Sequence, residues 1–203
     1  MLGSEIKLLI VDFDGTLVDT FRANFMAYQE AFNQVGLALK EVDYRHCFGF
    51  RFEKFMATVG ITDPVVTQKI SEFKGNCYPD FFRYFKVNNS LLAILKTFHN
   101  AGGKTAIAST ACRKNLEKAL QYIEVTDIFD LILAGEEVRQ GKPSPEIYRT
   151  VLRHFSMQPN EALVFEDSEV GVQAAQSAGI NYIVVNSNYY GNKRAFWLSD
   201  RHC

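Results

Sequence analysis

The spacing of hydrophobic positions changes along this chain, and the changes outline its elements. Lys7-Leu8-Leu9-Ile10-Val11-Asp12-Phe13 is a short apolar run rich in branched residues, which predicts a fully buried strand. From Asp19 or Thr20, a good N-cap pair, a helix is expected to run to Val35, with Ala23, Ala27, Ala31 and Phe32 on its apolar face and Gly36 as its stop. The stretch from about 37 to 87 offers helical pieces, Phe52 to Val59 and Val65 to Phe85, and no clear buried strand. It is dense in aromatics, among them Phe48, Phe50, Phe55, Tyr78 and Phe82. These suit the core of a small helical bundle, with those near Gly49 alternatively lining a substrate entrance.

After Asn88 the pattern becomes helix, strand, helix, strand. Helices are expected over Leu91 to Asn100, Asn115 to Ile123, Glu146 to His154 and Val170 to Ala178. Between them fall the short apolar runs Thr105 to Ser109, Leu131 to Ala134, Ala162 to Phe165 and Tyr182 to Val185. Such alternation argues for βαβ units and an α/β fold with a parallel sheet. The helical stretch after the first strand then becomes an insert that caps the C-terminal edge of the sheet. The tail from Asn186 to Cys203 is polar and uneven, and no element is assigned to it.

The strand ends carry the chemistry. The first delivers Asp12 and Asp14, followed at once by Gly15, where open α/β sheets bind ligands. Residues i and i+2 of a strand point the same way, so both acids face one site if the strand lasts that far. Two such carboxylates repel and are costly to desolvate unless a cation or proton joins them. A second strand ends in Ser109-Thr110, whose hydroxyls and free N–H groups suit a phosphate oxygen or, equally, a helix cap. Lys142 lies in the stiff loop Gly141-Lys142-Pro143-Ser144-Pro145, either aimed by the prolines or simply solvated. A further strand ends in Glu166-Asp167-Ser168, where Asp167 is either a ligand or a helix cap. If these ends share one crevice, Asp12, Asp14 and Asp167 make a hard oxygen site of the kind Mg²⁺ prefers. Ser109 and Lys142 then supply what a phosphoryl group needs.

Composition narrows the partners. A chain of 203 residues can bury a sizeable core, and a net charge of −1 gives no electrostatic footprint for nucleic acid or a membrane surface. No apolar run has the length of a membrane span, and the N-terminus lacks a signal-peptide pattern. Cys47, Cys77, Cys112 and Cys203 are scattered without metal-type spacing, so reduced thiols in a cytoplasmic protein, monomeric or a homodimer, are expected.

Asp12-Phe13-Asp14-Gly15-Thr16-Leu17-Val18-Asp19-Thr20, Ser109, Gly141-Lys142-Pro143-Ser144-Pro145 and Phe165-Glu166-Asp167-Ser168 resemble the four ordered motifs of the haloacid dehalogenase superfamily. The Glu-Asp-Ser form, the run from Gly171 to Ala175 and Ala178-Gly179-Ile180 are similar to its β-phosphoglucomutase-like and phosphoglycolate-phosphatase-like branch. The resemblance implies a Rossmann-like core over residues 1–18 and 88–203, with a helical cap over 19–87. It implies that Asp12 is a nucleophile forming an aspartyl-phosphate and that Asp14 is the acid and base. It also implies Mg²⁺ held by Asp12, Asp14 and Asp167 with Glu166 beside them, and phosphoryl oxygens gripped by Ser109 and Lys142. The physics agrees. A carboxylate nucleophile splits one difficult displacement into two, and attack of an anion on an anion needs cations nearby.

The chain also departs from the family. Asn88-Asn89 stands where a Pro-Gly pair is common, and Asn24 occupies the position, twelve residues after the nucleophile, where sugar phosphomutases of this branch carry a histidine. Gly49 and Arg51 are similar to a substrate-contacting pair in the family, Arg51 being otherwise a surface arginine. The expected function is a Mg²⁺-dependent phosphatase acting on a small phosphorylated metabolite. The alternative is a β-phosphoglucomutase-like phosphomutase. A non-catalytic module fits poorly, because every charged group the chemistry needs is present. A dehalogenase fits poorly because Asp14 has no role in that metal-free chemistry.

Overall fold

The computed structural model describes residues 5–186. Five strands form one parallel sheet: β1 (Leu8–Val11), β4 (Lys104–Ala108), β5 (Leu131–Leu133), β6 (Ala162–Glu166) and β7 (Asn181–Val184), in the order β5-β4-β1-β6-β7. β1 is central, with Ile10 level with Ala106 on one side and Val164 on the other. Its alternation sorts the core into two layers. Leu9 and Val11 pack with Leu91, Leu95, Leu116 and Leu120, from α5 (Asn89–Asn100) and α6 (Arg113–Tyr122). Leu8 and Ile10 pack with Ile147, Val151, Ala174 and Ala178, from α7 (Glu146–Phe155) and α8 (Glu169–Ala178). Helices therefore cover both faces of the sheet, as buried parallel strands require.

Between β1 and β4 the chain leaves the sheet through two short strands, β2 (Val18–Asp19) and β3 (Lys86–Val87), which pair antiparallel. Two residues each are too few to show in a hydrophobic pattern, and β3 is not buried, so the reading of 37 to 87 as lacking a buried strand stands. The elements between them are helical: α1 (Phe21–Gln34), α2 (Glu41–Cys47), α3 (Phe52–Thr58), α4 (Pro64–Cys77) and a 3₁₀ turn over Tyr78–Tyr84. These pieces bury their own cluster, in which Phe55 meets Tyr28, Phe32 and Tyr44 with ring centroids 5.0–6.1 Å apart. α2 is absent from the sequence reading because only Tyr44 and Cys47 of its seven residues are buried. The helix expected from Val65 to Phe85 stops at Cys77, and Pro79 then tightens the chain into the 3₁₀ turn. Asp63 caps α4, accepting from the N–H groups of Val65 and Val66 ahead of Pro64.

Other boundaries move by one or two residues. Asn88, the first residue of the Asn88-Asn89 pair, caps α5 by accepting from the Leu91 N–H at 3.1 Å. The tail, including Cys203, lies outside the described residues apart from Asn186.

Because Ile10 is fully buried in the central strand, Ile10→Ala is expected to cost about 2–5 kcal/mol. Urea denaturation should show a lower midpoint with an unchanged slope.

Candidate active site

β1, β4 and β6 end side by side, and their last residues meet. The Asp12 N–H still pairs with the Phe165 carbonyl at 3.0 Å, after which the chain turns sharply at Gly15, whose φ is +92°. Only glycine suits this place: the conformation disfavours a side chain, and a Cβ would collide with the Asp167 carboxylate. The turn lets Thr16 Oγ1 donate to Asp167 Oδ1 at 2.8 Å.

Lys142 reaches into this junction and is almost wholly buried. Its ammonium donates to Asp12 Oδ1 at 2.6 Å, to the Ala108 carbonyl at 3.0 Å and to Glu166 Oε1. The solvated-lysine alternative is thereby excluded. Burial works against the charge, but Asp12 and Glu166 outweigh it and hold the Lys142 pKa well above its ordinary value. Glu166 is saturated. Oε1 also accepts from Tyr148 Oη at 2.9 Å, and Oε2 accepts from the N–H groups of Asp167 and Ser168 and from Ser168 Oγ at 3.0–3.1 Å. Burial pushes Glu166 up, yet Lys142 and these donors bring it below the usual carboxylate range. Gly171 makes room for it, since a Cβ there would strike the same carboxylate.

Asp12, Glu166 and Asp167 each bring a carboxylate oxygen within 4.8 Å of the others. Against one ammonium, three ionised carboxylates leave two negative charges. Burial, reinforced by Glu166 and Asp167 and opposed by Lys142, accordingly raises the Asp12 pKa. Burial likewise lifts Asp167 to about 6 against the Thr16 hydrogen bond. The donor set is hard oxygen with unbalanced charge, which fits a divalent cation.

Asp14 is not part of this group of oxygens. The turn at Gly15 ends the strand alternation, so the side chain faces the helical insert, where Oδ1 accepts from Thr20 Oγ1 and from Asn24 Nδ2 at 3.1 Å. Thr20 is thus occupied by Asp14 and makes no side-chain cap bond to α1. Burial raises the Asp14 pKa despite both hydrogen bonds.

Ser109 is fully buried, its Oγ accepting from the Ala111 N–H at 3.1 Å. Thr110 faces a cleft of about 200 Å³ between insert and sheet edge, which Asp14, Asn24, Tyr28, Phe48, Lys74 and Asn115 also line. Arg51 does not line it. Its guanidinium donates to the carbonyls of Gly135, Val138 and Arg139, fastening the insert to the core loops.

Sequence reading also missed Lys74. It is 6% exposed, lies 3.6 Å from the Tyr78 ring centroid, and has Asp14 as the leading group favouring its charge. Burial dominates and lowers its pKa to about 8. Its place in α4 beside ordinary surface residues hides it from pattern analysis.

The haloacid dehalogenase-like hydrolase family matches residues 9–185. This chain belongs to that family. Among its relatives is a phosphorylated carbohydrates phosphatase of Thermotoga maritima, 30% identical over 188 residues, or 90% of this chain and 87% of that one. A CbbY variant from Rhodobacter sphaeroides, solved in complex with xylulose-(1,5)-bisphosphate, superposes with a TM-score of 0.82 at 26% identity, covering 93% of this chain and 90% of that one. A putative β-phosphoglucomutase from Thermotoga maritima gives 0.68 at 28% identity over 96% and 88%. Together these matches make the protein a phosphoric monoester hydrolase of the haloacid dehalogenase-like kind, as the sequence motifs imply.

Lys74 generates a stability test. Its pKa is about 8 when folded against an ordinary 10.5, so between these values the unfolded chain binds the extra proton. The penalty of burying the charge is full below pH 8 and fades as pH rises towards 10.5. Lys74→Met is therefore expected to raise the melting temperature by roughly 5–10 °C at pH 7 and by much less at pH 10, measured by calorimetry.

Proposed function

We propose that this enzyme is a Mg²⁺-dependent phosphatase that hydrolyses a small phosphorylated carbohydrate through an aspartyl-phosphate on Asp12. The observation that carries this reading is the buried Lys142 ammonium joined to both Asp12 and Glu166, beside the unbalanced Asp167. Lys142 aims Asp12 and leaves a cation where an incoming phosphoryl oxygen needs one. Asp12 and Asp167 would hold Mg²⁺, which when bound supplies charge neutralisation for the phosphoryl group. Glu166 has its oxygens filled by five donors, which favours a role in placing Lys142 and the Asp167 backbone over one as a ligand.

The chemistry then runs in two displacements. An Asp12 oxygen bonds to phosphorus as the bond to the sugar oxygen breaks, and Asp14 gives that oxygen its proton. Asp14 next takes a proton from water, whose oxygen attacks phosphorus and releases Asp12. The raised pKa of Asp14 suits the first of these duties. Ser109 and Thr110, which follow β4, are assigned to the phosphoryl oxygens, Thr110 also lining the cleft, and residues 19–87 act as the cap over the leaving group. The three described cysteines are thiols, in keeping with a cytoplasmic setting.

The likeness to a putative β-phosphoglucomutase keeps phosphomutase as a second reading. Asn24 weighs against it. It donates to Asp14 from the position where phosphomutases of this branch carry histidine, and it cannot titrate near neutral pH. Water is therefore the acceptor we favour.

Asp12→Asn should remain folded and lose at least ~10³-fold in phosphate release, since the nucleophile is gone and one repulsive charge with it. Millimolar Mg²⁺ should raise the melting temperature of the parent protein but not of Asp167→Asn. The rise should be larger at pH 7.5 than at pH 5, because Asp167, at about 6, holds its proton against the metal below that value. Full turnover in excess chelator would contradict the metal assignment.

A further inference from the structure

The arginine that fastens the insert to the core also lies against the loop that carries Lys142. Arg51 stands just ahead of α3 and is half-buried. Its Nη2 donates to the Val138 carbonyl at 2.9 Å and to that of Gly135, and its Nη1 donates to the Arg139 carbonyl at 3.3 Å. Gly135 and Val138 are buried. The stem of the same side chain crosses Gly141, the residue before Lys142. A Cβ on Gly141 would sit 2.6 Å from Arg51 Nε and 2.8 Å from its Cδ. Gly141 does not have a positive φ, so its backbone would accept a side chain. What takes the space is the arginine.

The loop is therefore held from two sides. From the core, Glu146 at the start of α7 accepts from the N–H groups of Arg139 at 2.9 Å and Gln140 at 2.8 Å. The Ser144 N–H donates to the Gly141 carbonyl at 3.0 Å and closes the turn around Lys142. From the insert, Arg51 takes the carbonyls of the same loop. A guanidinium is a rigid fork of five donors and can serve several carbonyls at once, which a single ammonium cannot. Two residues away, the Gly49 carbonyl accepts from Thr110 Oγ1 at 3.3 Å, so this segment of the insert meets the core twice. The precision matters because Lys142 must stay within 2.6 Å of Asp12 Oδ1. A misplacement of about 1 Å in a reacting group can cost roughly 10²-fold in rate.

We propose that Arg51 is a positioning residue: through Gly141 and the carbonyls of the loop after β5 it keeps the Lys142 ammonium on Asp12. The seat of the insert on the core thereby sets the geometry of the phosphoryl site, although Arg51 does not line the cleft. This rests on the phosphatase reading and extends it to a residue that acts at a distance from the ester. An arginine that touched substrate instead would show a different kinetic pattern.

The test measures kcat and KM for a sugar monophosphate and for p-nitrophenyl phosphate, with Mg²⁺ and well below the melting temperature. The proteins are the parent, Arg51→Ala, Arg51→Lys, Gly141→Ala and the double variant Arg51→Ala with Gly141→Ala. Arg51→Ala should lower kcat by roughly tenfold or more, by the same factor for both esters, with KM held within about twofold. Arg51→Lys should recover only part of the loss, since one ammonium does not span three carbonyls. Gly141→Ala should lower kcat in the parent and change it little in Arg51→Ala, because the space is then free. An unchanged kcat in Arg51→Ala, or a loss confined to KM or to the sugar ester, would overturn the inference. So would a Gly141→Ala effect as large without the arginine as with it. If Arg51→Ala fails to fold, Gly141→Ala and Arg51→Lys decide by the same split between kcat and KM. These results would leave the phosphatase standing, whereas no phosphate release from any ester by the parent would remove both readings.

Discussion

The site depends on one buried ammonium. Lys142 lies between Asp12 and Glu166 with the Ala108 carbonyl as a third acceptor, so one side chain ties together the ends of β1, β4 and β6. Charges are tolerated this deep only when paired and hydrogen-bonded, and breaking such a pair typically costs about 3–5 kcal/mol. Glu166 meets that demand with a full set of donors, and Tyr148 and the α8 cap residue Ser168 are spent on it. Even glycine placement follows. Gly171 clears space for Glu166, and Gly15 brings the turn after β1 against Asp167. Much of the polar architecture at this edge of the sheet therefore serves to hold Asp12 and leave Asp167 unbalanced.

The acid pair at the end of β1 then divides by geometry. Strand alternation would have aimed Asp12 and Asp14 together, but the chain turns between them. Asp12 remains with the ammonium, while Asp14 faces the helical insert and takes hydrogen bonds from Thr20 and Asn24. One sharp turn gives the two acids different surroundings, as the proposed nucleophile and proton carrier would need. The insert thus holds Asp14 through Thr20 and Asn24 and walls the cleft with aromatic side chains.

How much of this was legible in the sequence follows from range. The sheet and its flanking helices could be read because burial on two faces imposes runs and periods that survive without tertiary context. The acids, Lys142 and Ser109 could be read because they fall at strand ends in a recognisable order. Four features could not. β2 and β3 are too short for a pattern, α2 buries too little, Arg51 spends its guanidinium on distant carbonyls, and Lys74 is buried only because α4 packs over the cleft. Each depends on contacts between residues far apart in the chain. The direction of Asp14 stayed conditional for a local reason, since Gly15 announces a turn without giving its angle.

The central claim is that Asp12, held by Lys142, takes the phosphoryl group. Rapid-quench labelling addresses it directly: the enzyme is mixed with a ³²P-labelled sugar monophosphate and Mg²⁺, quenched in acid within milliseconds, and the labelled peptide is mapped. The account predicts an acid-stable, base-labile label on the peptide containing Asp12, formed and lost at rates that support turnover. A label on any other residue, or turnover with no labelled enzyme at any time, would contradict it.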